Sequence, residues 1–506
     1  MFTWTGNSNN NWKTVANWTP AGGPPNAVDA VAVWNVGTTG ITTNVNLPVT
    51  VGSIIINQPD SGAANLAIKN SSNNILTFQS SGGDATFINQ PVVGAINDGT
   101  STVSVTAAIQ LNSPLDVTSG FDFASNTAVT FSGGITGNQT ITLNGGGNLQ
   151  LTGVGTGFTG QIVINNGAVR LPDNGLTAAG NVTVNNGGQF QLGSATEPNW
   201  SLGAGSTLFL NGNGKASGAN NVGALRFQNN AATASFDTPI VLQSDSSIYV
   251  NGNLDGVPPT VGTVTISQPI TGTGALTKNG TGVLVLANDN SYGTAGPTNI
   301  NGGTLVLADT KNDGGYAIPG DVTVGTATNT NPTVLQIGAT GQQLPTTANV
   351  TLVGSTATPG VSGTFNLNSF NQSIGSLNST AGAGIVQNNG TAGNSTLTIN
   401  GTTVASNYSG IIQDGAAPGT GTLALAFSGP QSLTLSGAST YTGGTTITGG
   451  TLTVANTTGS ATGTGPVTLS SATLAGTGTI SGSVNLVGST LAPSSGSTTP
   501  ATLTLG

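Results

Sequence analysis

The chain contains no cysteine and no histidine among its 506 residues. The first absence excludes a disulfide framework, a thiolate nucleophile and a cysteine zinc site. The second removes the commonest general base, and with it a Ser/His/Asp triad. Charge is scarce too: 5% of residues are charged, where an ordinary soluble domain has about 25%. Seven Lys and Arg stand against sixteen acids, net charge −9, and no basic run occurs, so nucleic acid is not an expected partner. No run of about 18 apolar residues occurs, so no transmembrane segment is expected in the chain. Met1 leads straight into Phe2-Thr3-Trp4 without a basic, apolar leader. With a composition suited to the outside of a cell, a trimmed extracellular or outer-surface protein is expected.

What is present is glycine, at 79 positions, and a phrase that recurs with variations. One copy holds Leu433, Leu435, Tyr441, Ile447, Gly449, Gly450, Leu452 and Val454. A second holds Leu284, Leu286, Tyr292, Ile300, Gly302, Gly303, Leu305 and Leu307. A third holds Leu149, Leu151, Phe158, Ile164, Gly167, Val169 and Leu171. Fixed apolar spacing with variable polar turns marks a stacked repeat. Short alternating runs such as Val182-Thr-Val184 and Val322-Thr-Val324, bounded by Gly, Asn and Ser, read as strands. Matching positions lie 17–22 residues apart: Ile164 with Val184, Ile447 with Leu469, Leu452 with Leu474, Leu469 with Leu486, Leu474 with Leu491. The expected fold is all-β, a right-handed parallel β-helix of roughly 20–25 coils. Stacked antiparallel sandwiches remain the alternative, because periodicity does not fix strand direction. Scarce charge suits such a stack. Coils lie about 4.8 Å apart, where like charges repel and neutral hydroxyls and amides form ladders.

The expected organisation is a cap region at 1–60, a body of divergent coils at 61–430 and terminal repeat coils at 431–506. Trp4, Trp12, Trp18 and Trp34 fall in the cap. They read as packing that closes a solenoid end, or as a flat aromatic platform for sugar. The recurrent Tyr292, Tyr441 and Phe158 read as rings packed over their own turns. Asp309, Asp313 and Asp321, around Asn312 and Gly314, form a weak calcium candidate without the spacing of an EF-hand, and otherwise a turn. No cofactor is expected. The remaining acids, among them Asp29, Asp60, Asp84, Asp98, Asp116, Asp122 and Asp173, are scattered, so no catalytic centre is expected. Three aspartates gathered beside a Lys or Arg would instead mark a carbohydrate-active site. Runs such as Gly145-Gly-Gly147 read as turns rather than phosphate loops, since no Lys-Ser/Thr follows.

Residues 433–454 and 276–307 resemble the autotransporter-associated β-strand repeat, also called the passenger-associated transport repeat. Phe370-Asn-Gln-Ser-Ile-Gly-Ser-Leu377 and Tyr408 through Gly415 are similar to segments that precede it in such proteins. Trp4-Thr-Gly6, Trp12, Asn17-Trp18, Pro20 and Asp29 are similar to the start of many of them. Leu474 to Ile480 and Leu491-Ala-Pro493 are similar to their last coils. The resemblance implies a secreted or surface-displayed bacterial β-helix passenger, with a structural or adhesive role. Members commonly continue into an outer-membrane barrel, so a truncated or released passenger is expected. Its expected partners are itself, joined head to tail in filaments, or a host or matrix surface. The alternatives are a β-helix that binds or cleaves polysaccharide and a stalk for a domain outside this chain.

Overall fold

The computed structural model describes all of residues 1–506 except 38, 59–64, 72, 92–101, 120–127, 173–175, 194–198, 218–219, 222, 229–232, 252–261, 294–295, 312, 359, 381–383, 392, 417–420 and 494–501. Asp60, Asp98, Asp122, Asp173 and Asn312 therefore lie outside the described residues. The described part contains no α-helix, only the 3-10 turns Val15–Asn17 and Gly155–Gly157 between short strands. Among the described residues no helix is long and apolar enough to cross a membrane. The chain divides into two compact units, Met1–Asn251 and Gly252–Gly506.

Each unit is a parallel β-helix with the same internal logic. In the first, Ile141, Ile162, Val182, Leu208 and Ile240 are register partners on successive coils, and so are Leu143, Ile164, Val184, Leu210 and Leu242. All ten are buried, while Thr142 and Thr183 between them point outward. In the second, Leu433, Leu452, Leu474 and Leu491 stack along one face, and Ile447, Leu469 and Leu486 along another. Every pair that the 17–22-residue spacing matched is a register pair. The parallel direction excludes the sandwich alternative for these strands. Other coils are longer: Ser53 pairs with Thr86 and Ala85 with Leu115, thirty-three and thirty residues on. The extra residues lie in the turns, so the coils are fewer than a uniform short repeat implies.

The stack also explains which residues covary inside the phrase. Tyr441 is fully buried, and its hydroxyl lies 2.6 Å from Thr445 Oγ1. Tyr292 is buried in the same way, with its hydroxyl 3.1 Å from Thr298 Oγ1. Both threonines precede the phrase isoleucine, Ile447 or Ile300, by two residues. In the third copy that position is Ile162, and the ring is Phe158, which has no hydroxyl to satisfy. A buried hydroxyl needs a partner, so tyrosine occurs with threonine and phenylalanine with isoleucine. On the outer faces, neutral ladders run from coil to coil. Asn185 Nδ2 donates to Asn165 Oδ1 at 2.7 Å, and Asn165 Nδ2 to Asn144 Oδ1 at 2.8 Å. Asn35, Asn57 and Gln90 form another such ladder.

The N-terminal coil differs because four indoles fill it. Phe2–Trp4 pairs antiparallel with Trp18–Thr19 and parallel with Val31–Asn35. This brings Trp18 to 5.0 Å from Trp4, 5.1 Å from Trp12 and 5.4 Å from Trp34, centroid to centroid. All four rings are buried, and three indole N–H groups have acceptors: Trp12 donates to Pro25 O, Trp18 to Trp12 O and Trp34 to Thr43 Oγ1. Removing the central ring leaves a large void with polar groups at its rim. Trp18→Ala is expected to destabilise the first unit by about 3–5 kcal/mol, read as a lower midpoint in denaturant unfolding followed by far-UV circular dichroism; an unchanged midpoint would count against the cluster as the closure of this end.

Candidate functional site

The segment between the strands Gly303–Leu307 and Val322–Val324 of the second unit carries Asp309, Asp313 and Asp321. Leu286 and Leu307 are partners on adjacent coils, so Asp289 and Asp309 leave neighbouring coils close together. Asp309 is fixed through its backbone: its N–H donates to Gln343 Oε1 and its carbonyl accepts from Gln343 Nε2, both at 2.9 Å. Its Oδ1 accepts from the Lys311 N–H at 3.1 Å, and Asp313 Oδ1 accepts from the Gly315 N–H at 3.2 Å. Both are carboxylates bracing a turn two residues on. Lys311 Nζ lies 3.6 Å from Asp289 Oδ2 and donates to Asn288 Oδ1 at 2.5 Å. Burial raises the Asp289 carboxyl above its ordinary range, and Asp309 and Asp313 push it further the same way.

Of the three calcium candidates, two therefore meet. Asp321 is elsewhere, its carboxylate accepting from the Asn349 N–H at 2.8 Å and from Asn349 Nδ2 at 3.0 Å. Asp289, invisible to linear spacing because it belongs to the preceding coil, is instead the third acid of the group. Among the described residues no group of three or more His, Cys, Asp or Glu is placed to hold a metal ion. Elsewhere Asp116 is half-buried and its carboxyl raised, by burial first and then by Asp84. Asp29 is exposed and held low by Ser81, first through its hydroxyl, which donates to Asp29 Oδ2, and then through its N–H, which donates to Oδ1 at 2.9 Å. The four tryptophans present no open ring face as a sugar platform, being buried against one another. Melting curves with millimolar calcium and with excess chelator are expected to superimpose; a lower melting point in chelator would instead make Asp289, Asp309 and Asp313 ligands.

A second group was missed by sequence reading. Lys278 is fully buried inside the coil. Its ammonium donates to Gly280 O at 2.7 Å, Gly282 O at 2.6 Å and Gly302 O at 2.6 Å, so it ties one turn to the next coil. Its register partner is Ile300, the phrase isoleucine. The residues paired with the phrase isoleucine in the other copies are Leu143 and Phe427. A lysine thus occupies a hydrocarbon position. The turn it fills is close: Gly303 has φ +63°, and a Cβ there would lie 2.4 Å from Gly282 O and 2.7 Å from Lys278 Nζ. Gly450 has φ +64°, with Gln431 O and the Phe427 ring in the same relation. The three carbonyls satisfy the three ammonium protons, yet among the described residues no carboxylate neutralises the charge, and burial pulls the Lys278 pKa down to about 7.

The sign of the resulting pH dependence follows. Unfolded Lys278 titrates near 10.4 and folded Lys278 near 7, so between these values the unfolded state holds the extra proton. Stability rises with pH through that window, by at most about 1.4 kcal/mol per pH unit; as pH falls the gain is lost across the same window, and below 7, where both states hold the proton, none of it remains. Lys278→Leu, the side chain of the third copy, is expected to abolish this slope for the second unit. Denaturant midpoints compared at pH 6, 8 and 9.5 test it, and parallel wild-type and variant profiles would refute it.

Comparison with known proteins matches the passenger-associated-transport-repeat family at residues 276–307 and 428–454. Lys278 lies inside the first match and Phe427 just ahead of the second. The repeat is that of autotransporter passengers and suggests an extracellular or cell-surface protein. No curated protein and no solved structure matches the chain.

Proposed function

We propose that this chain, which carries two passenger-associated transport repeats, is a non-catalytic structural and adhesive solenoid of the autotransporter-passenger type, working outside the cell. The observation that supports it is the register. The recurring residues are consumed in core and turns, and what repeats outward is a neutral polar surface. One row of the second unit reads Thr277, Asn299, Thr323, Thr351 and Asn378 on successive coils. Such a row offers similar weak contacts at each coil, about 4.8 Å apart, and a partner that engages several gains avidity. A host or matrix surface is a partner of that kind.

Head-to-tail joining into filaments is a narrower form of this reading, and it needs an open strand edge at the receiving end. Phe2–Trp4 has a strand on each side of it, Trp18–Thr19 and Val31–Asn35. Contact through the outward rows is therefore the form favoured here. A carbohydrate-directed role is the second reading, favoured by Asp289, Asp309 and Asp313 gathered beside Lys311. Two of these acids already brace turns, which fits binding better than turnover. Protease added to intact producing cells is expected to remove the chain, and beads coated with purified protein are expected to attach to extracellular matrix. Protection of the chain until lysis, or beads that stay free, would sink the proposal.

A further inference from the structure

The chain has two arginines in all, Arg170 and Arg226, fifty-six residues apart in sequence. The first unit places both on one outward row. Gln150 pairs with Arg170, Arg170 with Gln191, Gln191 with Arg226, and Arg226 with Tyr249. The arginines thus leave the sheet two coils apart, about 9.6 Å at the backbone. Both are half-buried. Arg226 lies over the Tyr249 ring, its Cζ 5.6 Å from the centroid, and its Nε is buried without a hydrogen-bond partner. Among the described residues neither arginine forms an ion pair; the one ion pair is between Lys311 and Asp289, in the other unit. Gln191, between them, is buried and donates to Gln228 Oε1. Lys215, also buried, reaches the same face and donates to Asn148 Oδ1 at 3.0 Å, two residues before Gln150 on the same strand.

In a chain of net charge −9 this is a costly arrangement. Two partly desolvated guanidinium groups without a carboxylate among the described residues repel one another, and burial holds both below their ordinary pKa. Opposite charges were available, at sixteen positions, and none among the described residues is used here. A guanidinium fork is matched to oxyanions, and a buried Nε–H without an acceptor lacks the bond that an oxyanion would provide.

We propose that Arg170 and Arg226 form an oxyanion-binding site on the outer face of the first unit, suited to the carboxylates of an acidic glycan lying along the stack. A polymer bearing repeated carboxylates can meet both guanidinium groups at once, where a single small anion engages one of them fully. The Tyr249 ring lies under the second arginine and helps to hold it in place. The source of the glycan rests on the surface reading above. The site itself does not, since it is tested on purified protein in solution.

Isothermal titration of the whole chain at low salt, with an oligogalacturonide, with sodium sulfate and with a neutral oligosaccharide of equal length, tests this. The oligogalacturonide is expected to bind, the neutral sugar not to bind, and affinity to fall with added salt. Arg170→Gln and Arg226→Gln are each expected to weaken binding on the order of tenfold or more. Lys69→Gln, which removes one exposed positive charge elsewhere, is expected to leave binding unchanged. Without ligand, both arginine variants are expected to melt no lower than the wild type, because each removes an uncompensated charge. Oligogalacturonide bound more tightly than sulfate assigns the anion to a glycan, and equal affinities assign it to a free oxyanion. No binding of either probe, or an equal loss in the Lys69→Gln control, overturns the site.

Discussion

Everything in these two units depends on one constraint: a residue's nearest non-bonded neighbour is its own counterpart one coil further on, about 4.8 Å away. Backbone hydrogen bonds hold that spacing whatever the side chain is. A side chain must therefore suit a neighbour of its own kind. Valine, leucine and isoleucine satisfy this inside, where they interdigitate, and asparagine, threonine and glutamine satisfy it outside, where each can donate to the next and accept from the last. Charge does not satisfy it. The scarcity of Asp, Glu, Lys and Arg is the compositional imprint of this rule.

The recurring phrase then serves as a small substitution series made within one molecule. Leu143, Lys278 and Phe427 occupy one core position, each paired with the phrase isoleucine of the next coil. The backbone around them is the same tight turn, with a left-handed glycine, Gly167, Gly303 or Gly450, pressed on the carbonyls of the preceding coil. A lysine fits where leucine and phenylalanine do because that turn presents carbonyl oxygens to the core. The hydrocarbon side chains leave those carbonyls alone, while the ammonium gathers three of them. The Tyr–Thr and Phe–Ile pairings follow the same logic at another position: the fold tolerates a polar group inside the coil wherever the partner changes with it.

How much of this could be read in advance depended on coil length. Where coils are short and even, as from Ile164 to Val184 or from Ile447 through Leu469 to Leu486, sequence spacing identified the register partners one for one. Where a turn carries an insertion, sequence distance ceases to measure spatial distance. Asp289 beside Asp309, and Arg170 in line with Arg226, lie beyond that limit, since their separations are set by intervening turns of differing length. The four tryptophans were legible as a group, because aromatic density near one end of a solenoid has few other uses. Their mutual burial was not legible, because it depends on Trp18–Thr19 running antiparallel to Phe2–Trp4. Lys278 stayed hidden for another reason: in a strand of alternating residues a lysine is expected to face water, and only the identity of its counterparts argues that it faces in.

The places that break the stacking rule are of two kinds. Lys278 breaks it inward and is answered by the protein itself: three carbonyls receive its protons, and the coils it joins gain a tie that neither leucine nor phenylalanine supplies. Its function is complete within the fold. Arg170 and Arg226 break it outward and are not answered within the described residues: no carboxylate pairs with them, one guanidinium N–H is buried without an acceptor, and the coil between them carries a neutral amide. A structural role would be served as well by threonine or glutamine, which fill the equivalent outward positions elsewhere at no electrostatic cost. A charge that weakens the isolated fold and gains no ion pair among the described residues, only the Tyr249 ring under Arg226, is best explained by a partner that is absent when the protein is alone. That asymmetry directs the search for function away from the conserved-looking phrase and toward the row in which the chain placed both of its arginines.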